Sequence, residues 1–340
     1  MISNDQTRKV AKQFFVHSPA DLSQSYVHWA EKLKNEPGID YGCVLDKFML
    51  PLHPGDLMAV VARPGHGKTS WMAYMARKTA RELITKGDED KVVVYVTWEQ
   101  TVEEIEAYFQ SAGNYSSTDM AWGRVPLDTI KRTAVKRANL PIWVFGKSKR
   151  HEGIKRPTMS IDYVYAAIES MEQEYNKKPV LLCLDYVQIM PMDNRKEKSS
   201  QVDDAIRQAK ELAINVGLPI IIGVQAGRQV DGYKNQIPVM ADAQWSSSIE
   251  QVVDKQIGIW RPIKSRDPAE SPMINVSGVD YTNDENLFVI RLLKQRFAVG
   301  YGAWAVKFKP QTLELWDYDV RPLNGQKKES AYQDYAPINF

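Results

Sequence analysis

Lys68 and Thr69 stand near the end of the ten-residue run VARPGHGKTS, in which two glycines precede a lysine and a hydroxyl. Residue types at this spacing suit phosphate chemistry. Backbone N–H groups from Gly65 to Thr69 can form an anion-binding nest, Lys68 can reach the β and γ phosphates, and the Thr69 hydroxyl can ligate magnesium. Arg63, Pro64, His66 and Ser70 complete the candidate nucleotide-binding set, while Gly65 and Gly67 permit close backbone approach. Ala62 stands where G-x-x-x-x-G-K-[ST] has its first glycine. It closes the preceding apolar run, so a methyl group there is tolerable.

Binding phosphate does not imply hydrolysis, and a second set of residues bears on that. Asp185 ends the apolar run VLLCLD and fits an aspartate that holds the magnesium shell. Glu99 follows KVVVYVTW, and because Thr101 and Glu104 form the next helix's capping box, Glu99 is free to polarise an attacking water. Gln225 ends a further apolar run and suits an amide that senses the γ phosphate. Each has a plainer alternative: an acid or amide closing a strand, or a solvated loop glutamate.

These residues need strand tips to carry them, and the sequence supplies such elements. Leu57 to Ala62, Lys91 to Trp98, Leu140 to Phe145, Val180 to Asp185 and Pro219 to Gln225 are short apolar runs expected of strands covered on both faces. Helical patterns alternate with them at Lys68 to Lys86, Val102 to Ser111, Ile161 to Tyr175 and Gln201 to Val216. Such alternation predicts a mainly parallel α/β sheet with right-handed crossovers and a ligand at the carboxyl ends of its strands. From Asp254 onward closely spaced strands predict an antiparallel edge: Lys255 to Trp260, Leu287 to Lys294, Ala303 to Phe308 and Leu313 to Trp316. The first 18 or so residues and the last 20 or so are polar and aperiodic, which predicts arms or tails.

Bulk properties narrow the class. The 340 residues are 44% hydrophobic, enough for a large core, and Lys+Arg of 44 against Asp+Glu of 42 gives no overall charge bias toward nucleic acid or membrane. Cys43 and Cys183 lie far apart, and the scattered histidines lack zinc-ligand spacing. No signal sequence or membrane-length apolar window is evident, so a cytoplasmic location is expected.

PGDLMAVVARPGHGKTS, VTWEQ, LDYVQIM, GVQAGRQ, SSSIEQ and LLKQR follow one another in an order and spacing that resemble the ATPase domain of DnaB-like replicative helicases. The resemblance runs from about Gly38 to Trp316 and implies a RecA-like P-loop NTPase fold with ATP and Mg2+ as cofactors. It divides the chain into a 1–37 arm and linker helix, a 38–318 ATPase domain and a 319–340 tail. In that family alanine is common at the first position of the phosphate loop. Lys68, Thr69, Glu99, Asp185 and Gln225 receive the roles reasoned above. The resemblance further implies that Lys294 and Arg296 of KQR reach a neighbouring subunit's γ phosphate, which requires an oligomer, and the family's form is a six-membered ring. Without the resemblance, KQR reads as an ordinary basic strand end. The segment Asp21 to Asn35 looks like the linker helix that docks on the adjacent subunit.

Two departures from the family pattern bear on partners. About twenty residues precede the linker segment, where family members carry a domain involved in collar formation and primase contact, so a primase, loader or collar protein is expected to be met by another route. A compact phage or plasmid form is one expectation. The loop that grips single-stranded DNA commonly resembles R-E-S-G-S-I-E-Q in the family, whereas this chain has QWSSSIEQ. Gln244 and Ser247 can still donate to phosphate, and Trp245 can stack on a base. Arg195, Lys196 and Lys198, in the loop after Asp185, are further candidates for backbone phosphate contacts, and GKSKRHEGIKRP adds a basic segment read as a solvated face. The alternatives are a RadA- or KaiC-like ATPase acting without unwinding, and a nucleotide-gated adaptor protein.

Overall fold

Along strand β1 (Leu57–Ala62), Leu57, Ala59 and Val61 enter one hydrophobic cluster while Met58, Val60 and Ala62 enter another, so both faces of the strand are covered. A strand with that two-sided burial belongs at the centre of a sheet. The computed structural model describes residues 4–36, 38–111, 115–155, 158–191, 195–244, 248–297, 301–309 and 311–318. It places β1 in a nine-stranded sheet. The other members are β2 (Lys91–Thr97), β3 (Ile142–Phe145), β4 (Lys178–Asp185), β5 (Ile220–Gln225), β6 (Lys255–Trp260), β9 (Leu287–Gln295), β10 (Gly302–Lys309) and β11 (Glu314–Asp317). The order is β11-β10-β9-β6-β1-β5-β4-β2-β3; β1 to β6 pair in parallel, while β9, β10 and β11 add an antiparallel edge. This is the α/β architecture expected from the alternating runs.

The helices are α1 (Asn4–Phe14), α2 (Pro19–Asn35), α3 (Lys68–Lys86), α4 (Val102–Gln110), α5 (Ser117–Ala121), α6 (Leu127–Ala138), α7 (Ile161–Tyr175), α8 (Lys198–Val216) and α9 (Ser248–Val252). Helix α3 packs on one face of the sheet through Trp71, Met72, Met75 and Ala76, and α7 and α8 cover the other through Val164, Ile168, Ala205 and Ala209. Three features depart from the sequence reading. The amino-terminal arm is helical, since α1 spans most of it with its side chains exposed. Helices α5 and α6 form between the second and third strands; both are short of buried residues, so neither presents a strong apolar stripe. A separate hairpin, β7 (Met273–Val276) with β8 (Val279–Thr282), lies between β6 and β9. The tail from residue 319 lies outside the described residues.

Helix α2 is well capped yet unburied. Ser18 and Asp21 form a reciprocal capping box and Pro19 opens the helix, but none of its residues is buried, and Leu22, Tyr26, Val27 and Trp29 are exposed. Among the described residues, no helix is long and apolar enough to cross a membrane.

Candidate functional site

The carboxyl ends of β1, β2, β4 and β5 meet around one cleft of about 660 Å³, lined by Lys68, Thr69, Glu99, Tyr108, Gln225 and Arg261 among others. Its floor is the turn from Arg63 to Gly67. Gly67 caps the start of α3 at φ 94°, where a side chain would be strained, and a Cβ there would come within 2.8 Å of the Phe288 ring. Gly65 also has positive φ, at 78°. The turn therefore needs glycine at both positions, and α3 presents its free N–H groups to the cleft.

Three predicted residues converge on that floor. The Thr69 hydroxyl donates to Asp185 Oδ2 at 2.7 Å, and Lys68 Nζ lies 3.8 Å from Asp185 Oδ1. Lys68 Nζ also sits 3.7 Å from the centre of the Tyr186 ring, a cation–π contact. Burial lowers the Lys68 pKa from its ordinary value, while Asp185 and Glu99 oppose that shift. Asp185 Oδ1 is buried and accepts no hydrogen bond. An orphaned carboxylate oxygen beside a hydroxyl and a lysine is a donor set that suits a hard divalent cation carried on phosphate oxygens. Thr69 and Asp185 are the residues that would hold magnesium, whose contribution when bound is to neutralise charge on the phosphates.

Glu99 is exposed at the tip of β2, on a turn that the sequence fixes locally. Thr97 Oγ1 donates to the Gln100 carbonyl at 3.0 Å and accepts from the Gln100 N–H at 3.1 Å, and the Trp98 N–H donates to the Asp185 carbonyl at 3.0 Å. The expected capping box between Thr101 and Glu104 is present, leaving the Glu99 carboxylate facing the cleft. Partial burial raises its pKa, Asp185 adds to that, and Lys68 opposes it. Glu99, Lys68 and Asp185 are thus close enough to sense one another's charge.

Gln225 also lines the cleft, and its backbone is clamped by a residue that sequence reasoning missed. Buried Gln188 accepts from the Gln225 N–H at 3.1 Å and donates Nε2 to the Gln225 carbonyl at 3.3 Å. The Gln244 N–H donates to the same carbonyl at 2.9 Å, and Ala226 bridges to Ala243. Other contributors missed were Tyr95, whose phenol donates to Asp185 Oδ2 at 2.9 Å, and Gly223, where a Cβ would fall 3.0 Å from Lys68 Cδ and 3.2 Å from Asp185 Oδ1. Gln188 lay inside the motif LDYVQIM and Gly223 opens GVQAGRQ, but neither position was singled out. A tyrosine or glycine within an apolar run carries no signal before the register is known.

Other phosphate-loop candidates are held by contacts of their own. His66 does not turn its ring to the cleft; it is 6% exposed, accepts from the Arg261 N–H at 3.3 Å through Nδ1, and burial lowers its pKa to about 4. Its own N–H donates to the Arg63 carbonyl. The Arg63 guanidinium is held by both Asp231 oxygens at 2.9 and 2.8 Å and by the Ala226 carbonyl, so it braces the loop after β5 although it borders the cleft. Pro64 and Ser70 line the cleft as expected.

The candidate DNA contacts are less available than the charge run implied. Lys196 pairs with Asp204 at 2.5 Å, Lys198 donates to the Gln188 carbonyl at 2.5 Å, and Arg195 also has a partner within the chain. The Gln244 side-chain oxygen is buried without a hydrogen-bond partner, and its backbone N–H is given to the Gln225 carbonyl. Trp245 and Ser247 lie outside the described residues, as does Arg156 of the second basic segment.

Lys294 and Arg296 lie away from the cleft. Lys294 pairs with Gln256 across the antiparallel edge, and Gln256 pairs with Ala59 of β1. The Arg296 N–H donates to the Asp254 carbonyl, and the Asp254 N–H donates to the Leu57 carbonyl at the start of β1. Both cations therefore sit toward the amino-terminal end of β1, opposite the phosphate loop. Lys294 Nζ donates to the Glu250 carbonyl, while Arg296 contacts Asp254 Oδ1 at 3.2 Å and the Gln251 carbonyl at 3.2 Å.

Comparisons with known proteins point to one family. The replicative DNA helicase DnaB of Mycoplasma pneumoniae is 26% identical over 260 residues, covering 74% of this chain and 50% of the relative. That of Rickettsia bellii is 22% identical over 281 residues, covering 77% and 54%. The chain spans about half the length of the curated relatives it matches. Among solved structures, an isolated ATPase domain aligns with a TM-score of 0.70 at 18% identity, covering 89% of this chain and 100% of that one. A DnaB-like replicative helicase, described together with its interactions with primase, aligns at 0.67 and 17% identity, covering 93% and 71%. At those identities the structural likeness is one of fold. The description of the DnaB-like helicase C-terminal domain matches residues 38–313, most of the chain, and the protein belongs to that family.

Proposed function

We propose that this protein is an ATP-hydrolysing motor that assembles as a ring, most simply of six copies, translocates on single-stranded DNA and unwinds duplex during replication. In this reading Lys68 binds the β and γ phosphates, Thr69 and Asp185 hold magnesium, and Glu99 accepts a proton from the attacking water. Gln225 senses the γ phosphate. Lys294 and Arg296 serve the site of the adjacent copy, where they stabilise charge that develops on the transferred phosphoryl group. The chain works in the cytoplasm as part of a phage- or plasmid-encoded system, with primase, loader or collar proteins as partners.

One observation carries the reading. Lys68, Thr69, Glu99 and Asp185 gather at the carboxyl ends of the parallel strands, while Lys294 and Arg296 lie toward the other end of the same sheet. A hydrolytic site completed by those cations needs a second copy, and the exposed apolar face of α2 offers a surface on which copies can meet. Gln188, Gln225 and Gln244 form a backbone-level link between the γ-phosphate sensor and the two loops expected to meet DNA.

The occupied heads of Lys196 and Lys198 favour a second reading, a RadA- or KaiC-like recombination or regulatory ATPase without unwinding, or a nucleotide-gated adaptor. ATP hydrolysis measured with and without single-stranded DNA, beside forked-duplex unwinding and particle mass, separates the two. DNA-stimulated hydrolysis with unwinding by a ring-sized particle supports the motor. Hydrolysis indifferent to DNA, without unwinding, supports the second reading.

A further inference from the structure

Asp185 Oδ2 accepts two hydrogen bonds, from Thr69 Oγ1 at 2.7 Å and from the Tyr95 phenol at 2.9 Å, whereas Asp185 Oδ1 accepts none. The two donors have different prospects. Thr69 opens α3 at the edge of the cleft, and its hydroxyl is the one that would turn to magnesium when nucleotide arrives. Tyr95 lies in the middle of β2, is 0% exposed, and has no other use for its hydroxyl. Its ring is fixed by an edge-on contact with Phe109, centroids 5.7 Å apart at 82°. Strand register fixes the rest: Tyr95 pairs with Cys183 and Thr97 with Asp185, so the phenol reaches Asp185 from two residues back along the neighbouring strand.

We propose that Tyr95 is a positioning residue that holds the Asp185 carboxylate with one oxygen pinned and the other left without a hydrogen bond beside Lys68, and so sets the affinity of the site for magnesium. The proposal rests on the nucleotide reading given above. Its physical basis is competition for Asp185. Lys68 Nζ stands 3.8 Å from Oδ1, longer than a well-formed ion pair hydrogen bond, and only the restraint on Oδ2 keeps the carboxylate from pivoting to close that gap. A closed pair would occupy both the metal-side oxygen and the lysine needed by the phosphates. The tyrosine also joins β2, which ends in Glu99, to β4, which ends in Asp185. Partners that orient a metal-binding carboxylate typically contribute 10- to 100-fold in metal affinity.

The test is equilibrium binding of a fluorescent ATP analogue to the full chain, in EDTA and across a magnesium titration. Tyr95→Phe keeps the ring and its packing while removing the donor. The expected result is metal-free affinity within about twofold of the parent and a magnesium midpoint raised about tenfold. Asp185→Asn supplies the second background. If Tyr95 acts through Asp185, adding Tyr95→Phe there moves the midpoint no further. An unchanged midpoint in a cooperatively melting Tyr95→Phe protein overturns the proposal. So does an equal loss of affinity with and without metal, or the same shift in both backgrounds, each of which marks a merely structural role. A parent protein whose binding ignores magnesium overturns the nucleotide-site reading, and the proposal with it.

Discussion

Arg296→Ala exposes the ring proposal most directly, because geometry separates a role in the chain's own site from one in a neighbour's. Arg296 is level with Leu57 at the start of β1 through Asp254, and the phosphate loop begins after Ala62. Five residue steps along a strand span about 17 Å and two strand spacings add about 10 Å sideways, so the separation is roughly 19 Å, beyond one side chain's reach. The substitution should spare the fold. Asp254 Oδ2 keeps Lys210 at 2.6 Å and the Leu57 N–H at 2.8 Å, and Arg296 is a half-exposed partner whose pairing is worth about 0 to 1 kcal/mol. Turnover should fall roughly 10³-fold or more with ATP binding intact. Lys68→Ala protein should be equally inactive. In randomly mixed rings, about one interface in four joins an intact loop from the Arg296→Ala chain to an intact arginine from the Lys68→Ala chain, so a 1:1 mixture should recover up to about a quarter of parent activity. Steady-state hydrolysis, with mass measurement showing that mixed rings form, reads the result. Mixed rings no more active than either parent, or full turnover by Arg296→Ala alone, would refute the reasoning.

Other perturbations test single parts of the site. Glu99→Gln should preserve nucleotide binding and reduce turnover roughly 10²- to 10⁴-fold. In the parent, the base works only when unprotonated and burial raises its pKa, so turnover should be full above that raised value and decline, as pH falls, sooner than an ordinary glutamate would dictate; a pH–rate profile lacking this acidic limb argues against Glu99. Gly223→Ala places a methyl group 3.2 Å from a doubly bonded carboxylate that cannot readily move, and overpacking of roughly 1 to 3 kcal/mol should appear as nucleotide affinity weakened about tenfold or more. Unaltered affinity would show that Lys68 and Asp185 have more room than their packing implies. His66 has its pKa lowered by burial from 6.5 to about 4. The unfolded chain therefore takes up a proton that the folded one refuses, so stability is unaffected above about pH 6.5 and falls by up to roughly 3 kcal/mol on going down to about pH 4. Thermal melts of the parent and His66→Gln should diverge in that window, and parallel curves would contradict the burial argument.

Much of this was legible in the sequence because apolar runs and glycine spacing are local signals. β1, β6, α3 and α7 fall where the runs of Leu57, Lys255, Lys68 and Ile161 placed them, and the strand tips delivered Glu99 and Gln225 to one cleft with Asp185 buried beside Lys68 and Thr69. Signals that depend on register were hidden. Tyr95 and Gly223 read as filler within hydrophobic strands until β2 is set against β4 and β5 against the phosphate helix. His66 sits inside a glycine-rich motif and looks like a ligand contact by position, yet the left-handed residues on either side turn its ring inward. Charge runs are ambiguous for a related reason: a lysine in a loop looks free until the carboxylate or carbonyl that meets it is known, as Asp204 does for Lys196 and Gln188 for Lys198.

Helix α9 is only five residues long, and the carbonyls of Glu250 and Gln251 near its end are taken up by Lys294 and Arg296. A helix so short has little stability of its own, and its terminal carbonyls need partners. The same two cations cannot serve those carbonyls and a neighbour's phosphates at once. In a ring, committing them outward would leave α9 uncapped in the donating copy just as the next copy's nucleotide becomes ready to react. Firing order around such a ring would then follow from a shortage of hydrogen-bond donors, with no separate timing device required.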